Sequence, residues 1–187
     1  TVAMIAALTK KLLICDKETR EGKFEPCRTG HTFGDMQDAV VGIIGLGQIG
    51  RLVAEKLHYG FGMKVLGYMR HPKEVPDYIT PVSLDEIYEK SDVVTIHVPN
   101  RPENQKMVGR EEFKKMKKSC IFINTARGGV IDEDALVWAL ENGEIDSAGL
   151  DTFVEEPLPA DHPFCKLPNV ILTPHTAALS TMASIRM

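Results

Sequence analysis

Short, mostly apolar runs alternate along this chain with stretches in which apolar positions recur every three or four residues. An unbroken apolar run reads as a strand covered on both faces, and the three-to-four repeat reads as an amphipathic helix. Ala39 to Ile44, Met63 to Tyr68, Val93 to Val98 and Cys120 to Asn124 are strands on this pattern, with Ala148 to Leu150 and Val170 to Leu172 as shorter ones. Ile49 to Leu57, Glu111 to Met116 and Asp132 to Leu140 are helices, the last ending near Gly143. Ser83-Leu84-Asp85-Glu86 opens another, because a serine followed three residues later by a glutamate forms a capping box. The alternation predicts an α/β fold built on a doubly wound parallel sheet. Right-handed crossovers place all strand carboxyl ends along one edge. Gly45, His97, Arg127, Asp151 and His175 each follow a strand and are expected to meet there.

The first thirty residues differ. Ile5, Leu8, Leu12 and Cys15 lie near helical spacing, and Gly22, Pro26 and Gly30 then break the pattern. The segment precedes the first strand and has no evident seat in the core. Residues 1–30 are therefore expected to form a helical arm or linker that contacts a second copy in a homodimer. Residues 31–178 form the α/β domain, and residues 179–187 begin a helix leading to a further domain. The chain does not start with Met, and both ends read as cuts within a longer protein.

Composition narrows the class. The 187 residues are 43% hydrophobic and 26% charged, enough for one full core. The net charge of −4 offers no footprint for nucleic acid. Lys114, Lys115, Lys117 and Lys118 read as a solvated helix face. No apolar run approaches the ~20 residues of a membrane helix, and no signal peptide is visible. A cytoplasmic protein with reduced thiols is expected. Cys15, Cys27, Cys120 and Cys165 form no C-x-x-C pair, and their spacing suggests no metal.

Gly45-Leu46-Gly47-Gln48-Ile49-Gly50 joins the first strand to the first amphipathic helix of the α/β region. In that context the loop is a dinucleotide site of the Rossmann type. Gly45 permits the turn, Gly47 lets backbone approach a pyrophosphate, and Gly50 lets helix and sheet close up. Amides near Gln48 and Ile49 face the phosphates. The second strand ends in Tyr68-Met69-Arg70-His71-Pro72-Lys73. Met69 stands where an NAD site places an acid for the ribose hydroxyls. Arg70, with His71 or Lys73, can pair a 2′-phosphate instead. NADP(H) is favoured over NAD(H).

Five motifs, in order, resemble the nucleotide-binding domain of the D-isomer-specific 2-hydroxyacid dehydrogenases. They are Gly45 to Gly50, Thr95-Ile96-His97-Val98-Pro99, Asn124-Thr125-Ala126-Arg127-Gly128, Leu150-Asp151-Thr152-Phe153 with Glu156-Pro157, and Thr173-Pro174-His175. The group includes glyoxylate and hydroxypyruvate reductases, D-lactate dehydrogenase and phosphoglycerate dehydrogenase. The resemblance implies that His175 is the acid/base and that Glu156 orients it and favours its protonated form. It implies that Arg127 binds the carboxylate of a short 2-oxo or 2-hydroxy acid. It also implies that Thr125, Ala126, Arg127, Asp151 and His175 border the cofactor, Asp151 at the carboxamide, and that His97, Val98 and Pro99 line its cleft. Glyoxylate or hydroxypyruvate fits the NADP character best. The alternatives are a phosphoglycerate dehydrogenase and a dinucleotide-sensing corepressor-like protein. In the family a second domain closes over the cofactor, so this chain alone is expected to bind cofactor without turnover.

Overall fold

A computed structural model describes residues 1–71 and 73–179. Three helices come first, α1 (Val2–Thr9), α2 (Leu12–Arg20) and α3 (Phe24–Gly30). Strands and helices then alternate: β1 (Val40–Ile44), α4 (Gln48–Phe61), β2 (Lys64–Tyr68), β3 (Ile79–Pro81), α5 (Leu84–Lys90) and β4 (Val93–Ile96). The remainder is α6 (Arg110–Lys115), β5 (Ile121–Asn124), α7 (Glu133–Glu141), β6 (Ser147–Leu150) and β7 (Val170–Leu172). The seven strands form one sheet in the order β3-β2-β1-β4-β5-β6-β7, and every pairing is parallel. The order reverses between β1 and β4, where a doubly wound sheet opens a crevice for a ligand.

Side chains alternate across the sheet and feed two core layers. Val41, Ile43, Val93, Ile121 and Ile123 point to one face, together with Val53, Ala54 and Leu57 of α4. Ile44, Val94, Ile96 and Phe122 point to the other, against Ile87 of α5, Phe113 of α6 and Leu136 of α7. Local signals set the helix ends. The capping box at Ser83 is formed, with the Ser83 hydroxyl accepting from the Glu86 amide and the Glu86 carboxylate accepting from the Ser83 amide. Gly62, in the left-handed region at φ 66, closes α4.

The structure corrects the reading of the amino-terminal segment as one helix without a seat in the core. The chain breaks at Lys11, whose φ is 48, so α1 and α2 are separate. Met4, Ile5 and Leu8 of α1 are buried in the same layer as α4. α4 covers β1 and β2, and α1 covers the neighbouring β5 and β6. Gly149 in β6 has no side chain where Met4 approaches; a Cβ there would lie 3.1 Å from the Met4 Cβ. Ile5 is wholly buried, so Ile5→Val is expected to lower unfolding stability by about 1 kcal/mol in urea titrations. An arm docked only on a partner would leave it unchanged in the monomer.

β3 was not expected. Its three residues give no periodicity, and Pro81 is tolerated because the strand is at the sheet edge. Of the helix expected over 179–187, all but Leu179 lies outside the described residues. No helix among the described residues is long and apolar enough to cross a membrane.

Candidate active site

The glycine loop leaves β1 at Gly45, whose φ is +102. Its amide donates to the Tyr68 carbonyl at 2.9 Å. A Cβ on Gly45 would lie 2.6 Å from the His97 carbonyl oxygen, and one on Gly50 would overlap the Gly45 carbonyl oxygen. Gly47 is different, because a Cβ there would meet no protein atom within 4 Å. Packing does not require glycine at that position, whereas close approach of a pyrophosphate does. Gln48 and Ile49 are exposed at the amino end of the 14-residue α4, where amides and helix dipole favour an anion. The residues present therefore fit a dinucleotide.

Next to the loop is a cleft of about 310 Å³, lined by Met69, Arg70, His71, Val98 and Pro99 together with Arg101 and Glu103. From the sequence, Arg70 is free to meet a phosphate. Here its guanidinium reaches the opposite wall, donating to Asn104 Oδ1 at 2.8 Å and pairing with Glu103 Oε1 at 3.1 Å. Both side chains of the ion pair are nearly half exposed, so it is weak and open to exchange.

His97 ends β4 and ties it to the glycine loop. Its amide donates to the Ile44 carbonyl at 2.7 Å, and its ring Nε2 lies 3.1 Å from Thr95 Oγ1. Burial pushes the imidazole down to about 4 from an ordinary 6.5, so it is neutral near pH 7. The unfolded chain then binds one more proton than the folded chain between pH 6.5 and about 4. Stability falls there as pH falls, by up to about 1.4 kcal/mol per pH unit. His97→Gln should flatten that limb in denaturant titrations across pH, and an unchanged slope would count against a buried neutral ring.

The other side of the candidate site is built from three strand ends. Fully buried Asn124 closes β5 and clamps the next turn, accepting from the Ala126 amide at 3.0 Å and donating to the Arg127 carbonyl at 2.9 Å. That turn carries Thr125 and Ala126 and exposes Arg127. Asp151 follows β6 and is 1% exposed. Its Oδ1 accepts from the Thr173 hydroxyl and from the Thr176 amide at 2.8 Å, and its Oδ2 accepts from the Ala177 amide at 2.9 Å. Burial raises this carboxyl, but the Thr173 hydroxyl and the two amides outweigh it and hold it below the usual range. The segment so gripped carries His175, at φ +53.

His175 Nδ1 lies 2.8 Å from Glu156 Oε2. The other Glu156 oxygen accepts from the Phe153 amide at 2.9 Å. The His175 hydrogen bond is the main reason the Glu156 carboxyl sits below its ordinary range, followed by the Phe153 amide. Arg127 adds a smaller pull, so the guanidinium shares the field of this pair. With Nδ1 held by a carboxylate, Nε2 is the nitrogen left to take or give a proton. A cleft of about 590 Å³ opens beside the pair.

A family model described as D-isomer specific 2-hydroxyacid dehydrogenase, NAD binding domain, matches residues 2–177. The chain belongs to that family. The matched region begins at residue 2, so α1, α2 and α3 are inside this dehydrogenase domain. Among curated relatives, glyoxylate reductase of Thermofilum pendens is 39% identical, covering 100% of this chain and 57% of the relative. Glyoxylate/hydroxypyruvate reductase B of Pectobacterium atrosepticum is also 39% identical, covering 93% of this chain and 56% of the relative. Two solved structures superpose closely. NAD-dependent formate dehydrogenase from Staphylococcus aureus in complex with NAD has a TM-score of 0.92 at 31% identity, covering 99% of this chain and 56% of that one. An acyclic imino acid reductase, Bsp5, in complex with NADPH and D-Arg has a TM-score of 0.89 at 33% identity, covering 97% and 57%. The domain spans just over half the length of these relatives.

In this dehydrogenase domain the structure brings Arg127, Glu156 and His175 to one end of the sheet edge, and the glycine loop with Met69, Arg70 and His71 to the other. Asp151 gains a positioning role that its place in the motif did not disclose. The motif gives Gly128 no role of its own, yet a Cβ there would overlap backbone atoms of Phe153 and Val154. Glu133 was not singled out; its carboxylate accepts from the Val154 amide at 2.9 Å and anchors the turn leading to Glu156. No sequence signal marks Glu133, because its partner is folded over from another strand end.

Proposed function

We propose that the full-length protein reduces glyoxylate or hydroxypyruvate to the D-2-hydroxy acid with NADPH, and that this chain supplies the cofactor site and the proton-transfer pair. The observation that carries this reading is the His175–Glu156 contact of 2.8 Å on the strand edge shared with Arg127 and the glycine loop. The reduced nicotinamide supplies the hydride when bound. His175 gives a proton from Nε2 to the 2-oxo oxygen and takes it back in the reverse direction, while Glu156 fixes the ring through Nδ1. Arg127 holds the substrate carboxylate with its planar fork of donors. Asp151 sits at the carboxamide end, Thr125 and Ala126 border the nicotinamide, and His97, Val98 and Pro99 line the cleft. The relatives named as glyoxylate and hydroxypyruvate reductases support the substrate class. Because the chain spans 57% of such a relative, turnover is expected from the full-length protein and not from this domain alone, where no second domain excludes water. Full-length protein should oxidise NADPH with hydroxypyruvate and yield D-glycerate. An L product, or no turnover with either oxo acid, would overturn the reading.

The NADPH preference rests on Arg70 in the adenosine-side cleft and on Met69 in place of an acid. Solved relatives bind NADPH in one case and NAD in another. Arg70→Ala should weaken NADPH binding about tenfold in fluorescence titrations and leave NADH nearly unchanged, the loss of one charge-assisted contact. Equal effects on both cofactors would remove the 2′-phosphate role.

We also propose a cytoplasmic homodimer. Leu12, Leu13 and Phe24 on α2 and α3 are 58%, 56% and 60% exposed, apolar side chains that a second copy would cover. A monomeric mass by light scattering of the full-length protein would overturn it.

A further inference from the structure

α2 and α3 form a hairpin at the amino ends of the strands, opposite the cofactor edge. Lys11 at its start pairs at 3.3 Å with Asp146, just before β6. α2 has no buried residue, and α3 has one, Cys27. Leu12, Leu13 and Phe24 are exposed and Ile14 turns toward Pro168 and Val170, so no buried apolar side chain joins the two helices to each other.

At their junction stand donor atoms instead. Glu18 follows Cys15 by three positions on one face of α2, while Cys27 lies in α3 and His31 caps its carboxyl end. His31 Nε2 lies 2.9 Å from Glu18 Oε2. The donor atoms of Glu18, Cys27 and His31 all lie within 4.8 Å of one another. The Cys15 thiol interacts with Cys27 and helps push that thiol up, and it lies outside this group of three. A tetrahedral site with bonds of about 2.0–2.3 Å has edges of about 3.3–3.8 Å, so small side-chain shifts suffice for Glu18, Cys27 and His31, and a change of rotamer brings in Cys15 as the fourth ligand. The sequence spacing suggested no metal, because the four donors come from two helices and pair across them.

We propose that Cys15, Glu18, Cys27 and His31 hold one zinc-class divalent cation that fastens α2 to α3. Two thiolates, an imidazole nitrogen and a carboxylate oxygen suit that ion, and elements too small for a core commonly depend on such a staple. On binding, Cys15 and Cys27 each release a proton to solvent; the proton that His31 Nε2 donates to Glu18 is given up to solvent while Nδ1 takes one, and the freed Nε2 turns to the metal. No electron is transferred. The inference is independent of the proposed dehydrogenase activity, since metal uptake is read without turnover.

The test uses full-length protein, reduced and stripped with a chelator, then titrated anaerobically with Co²⁺. One equivalent should bind, with a thiolate-to-cobalt charge-transfer band and the visible bands of a tetrahedral ion, and Zn²⁺ should bleach both. Cys27→Ser and His31→Ala should each weaken binding by more than the about 10–100-fold that an outer-shell loss costs. Cys165→Ser, altering an exposed cysteine outside the hairpin, should bind normally. Zinc should also slow amide exchange across residues 12–30. Failure of the reduced wild type to take up one equivalent would overturn the proposal. So would uptake without a thiolate band, or uptake undiminished in both variants. A Cys15–Cys27 disulfide in protein purified without reductant, with no metal bound after reduction, would assign the pair to redox chemistry instead.

Discussion

His175→Asn in the full-length protein should cut kcat for hydroxypyruvate reduction by about 10²–10⁴-fold, the usual worth of a positioned acid/base. Asparagine preserves much of the shape and keeps a polar contact to Glu156, but it carries no proton to give at neutral pH. NADPH affinity should stay within about threefold, because the glycine loop lies at the other end of the edge. The loss should therefore fall on kcat and kcat/KM together. A kcat reduced less than about tenfold would remove His175 from the chemistry. A second signature is expected in stability. The Glu156 carboxyl is held below its ordinary 4.5 chiefly by the His175 hydrogen bond. That contact contributes stability above pH 4.5, and the contribution is lost as pH falls through the lower folded value. His175→Asn should shrink this acid-side loss, so the variant and wild type should converge once pH has fallen below that folded value.

Gly128→Ala should destabilise the domain by about 3 kcal/mol or more, at the upper end for overpacking, because the new methyl meets atoms that cannot rotate away. Its Cβ would overlap the carbonyl group of Phe153 and the amide nitrogen of Val154. Only a shift of that backbone relieves the overlap, and the same backbone donates the Phe153 amide to Glu156 at 2.9 Å. A variant that still folds should lose turnover as well, with the His175–Glu156 pair displaced. Gly47→Ala is the informative contrast. A Cβ at Gly47 meets no protein atom within 4 Å, so stability should change by less than about 0.5 kcal/mol while cofactor binding weakens. Urea titrations and NADPH titrations of the two variants separate the outcomes. Equal stability losses at both glycines would show that neither is reserved for a ligand.

The pattern of buried runs was sufficient for six of the seven strands and for the helices between them, because each reports its own surroundings through residues a few positions apart. The same locality made the capping box at Ser83 legible, since both its hydrogen bonds span three residues. The placement of the glycine loop, His97, Arg127, Asp151 and His175 at strand ends followed from chain order and handedness alone. Other features required the folded chain. α1 has a seat only because β5 and β6 leave a face that α4 does not cover. Arg70 meets Glu103, Asp151 grips the His175 segment, and Glu133 braces the turn before Glu156, each across a gap of more than twenty residues. Cys15, Glu18, Cys27 and His31 are ordinary surface spacings until α2 and α3 fold against each other. Periodicity records whether a residue faces a core or solvent, and it holds no information on which distant side chain occupies the other side of a contact. That choice belongs to the packing of the sheet and its helices.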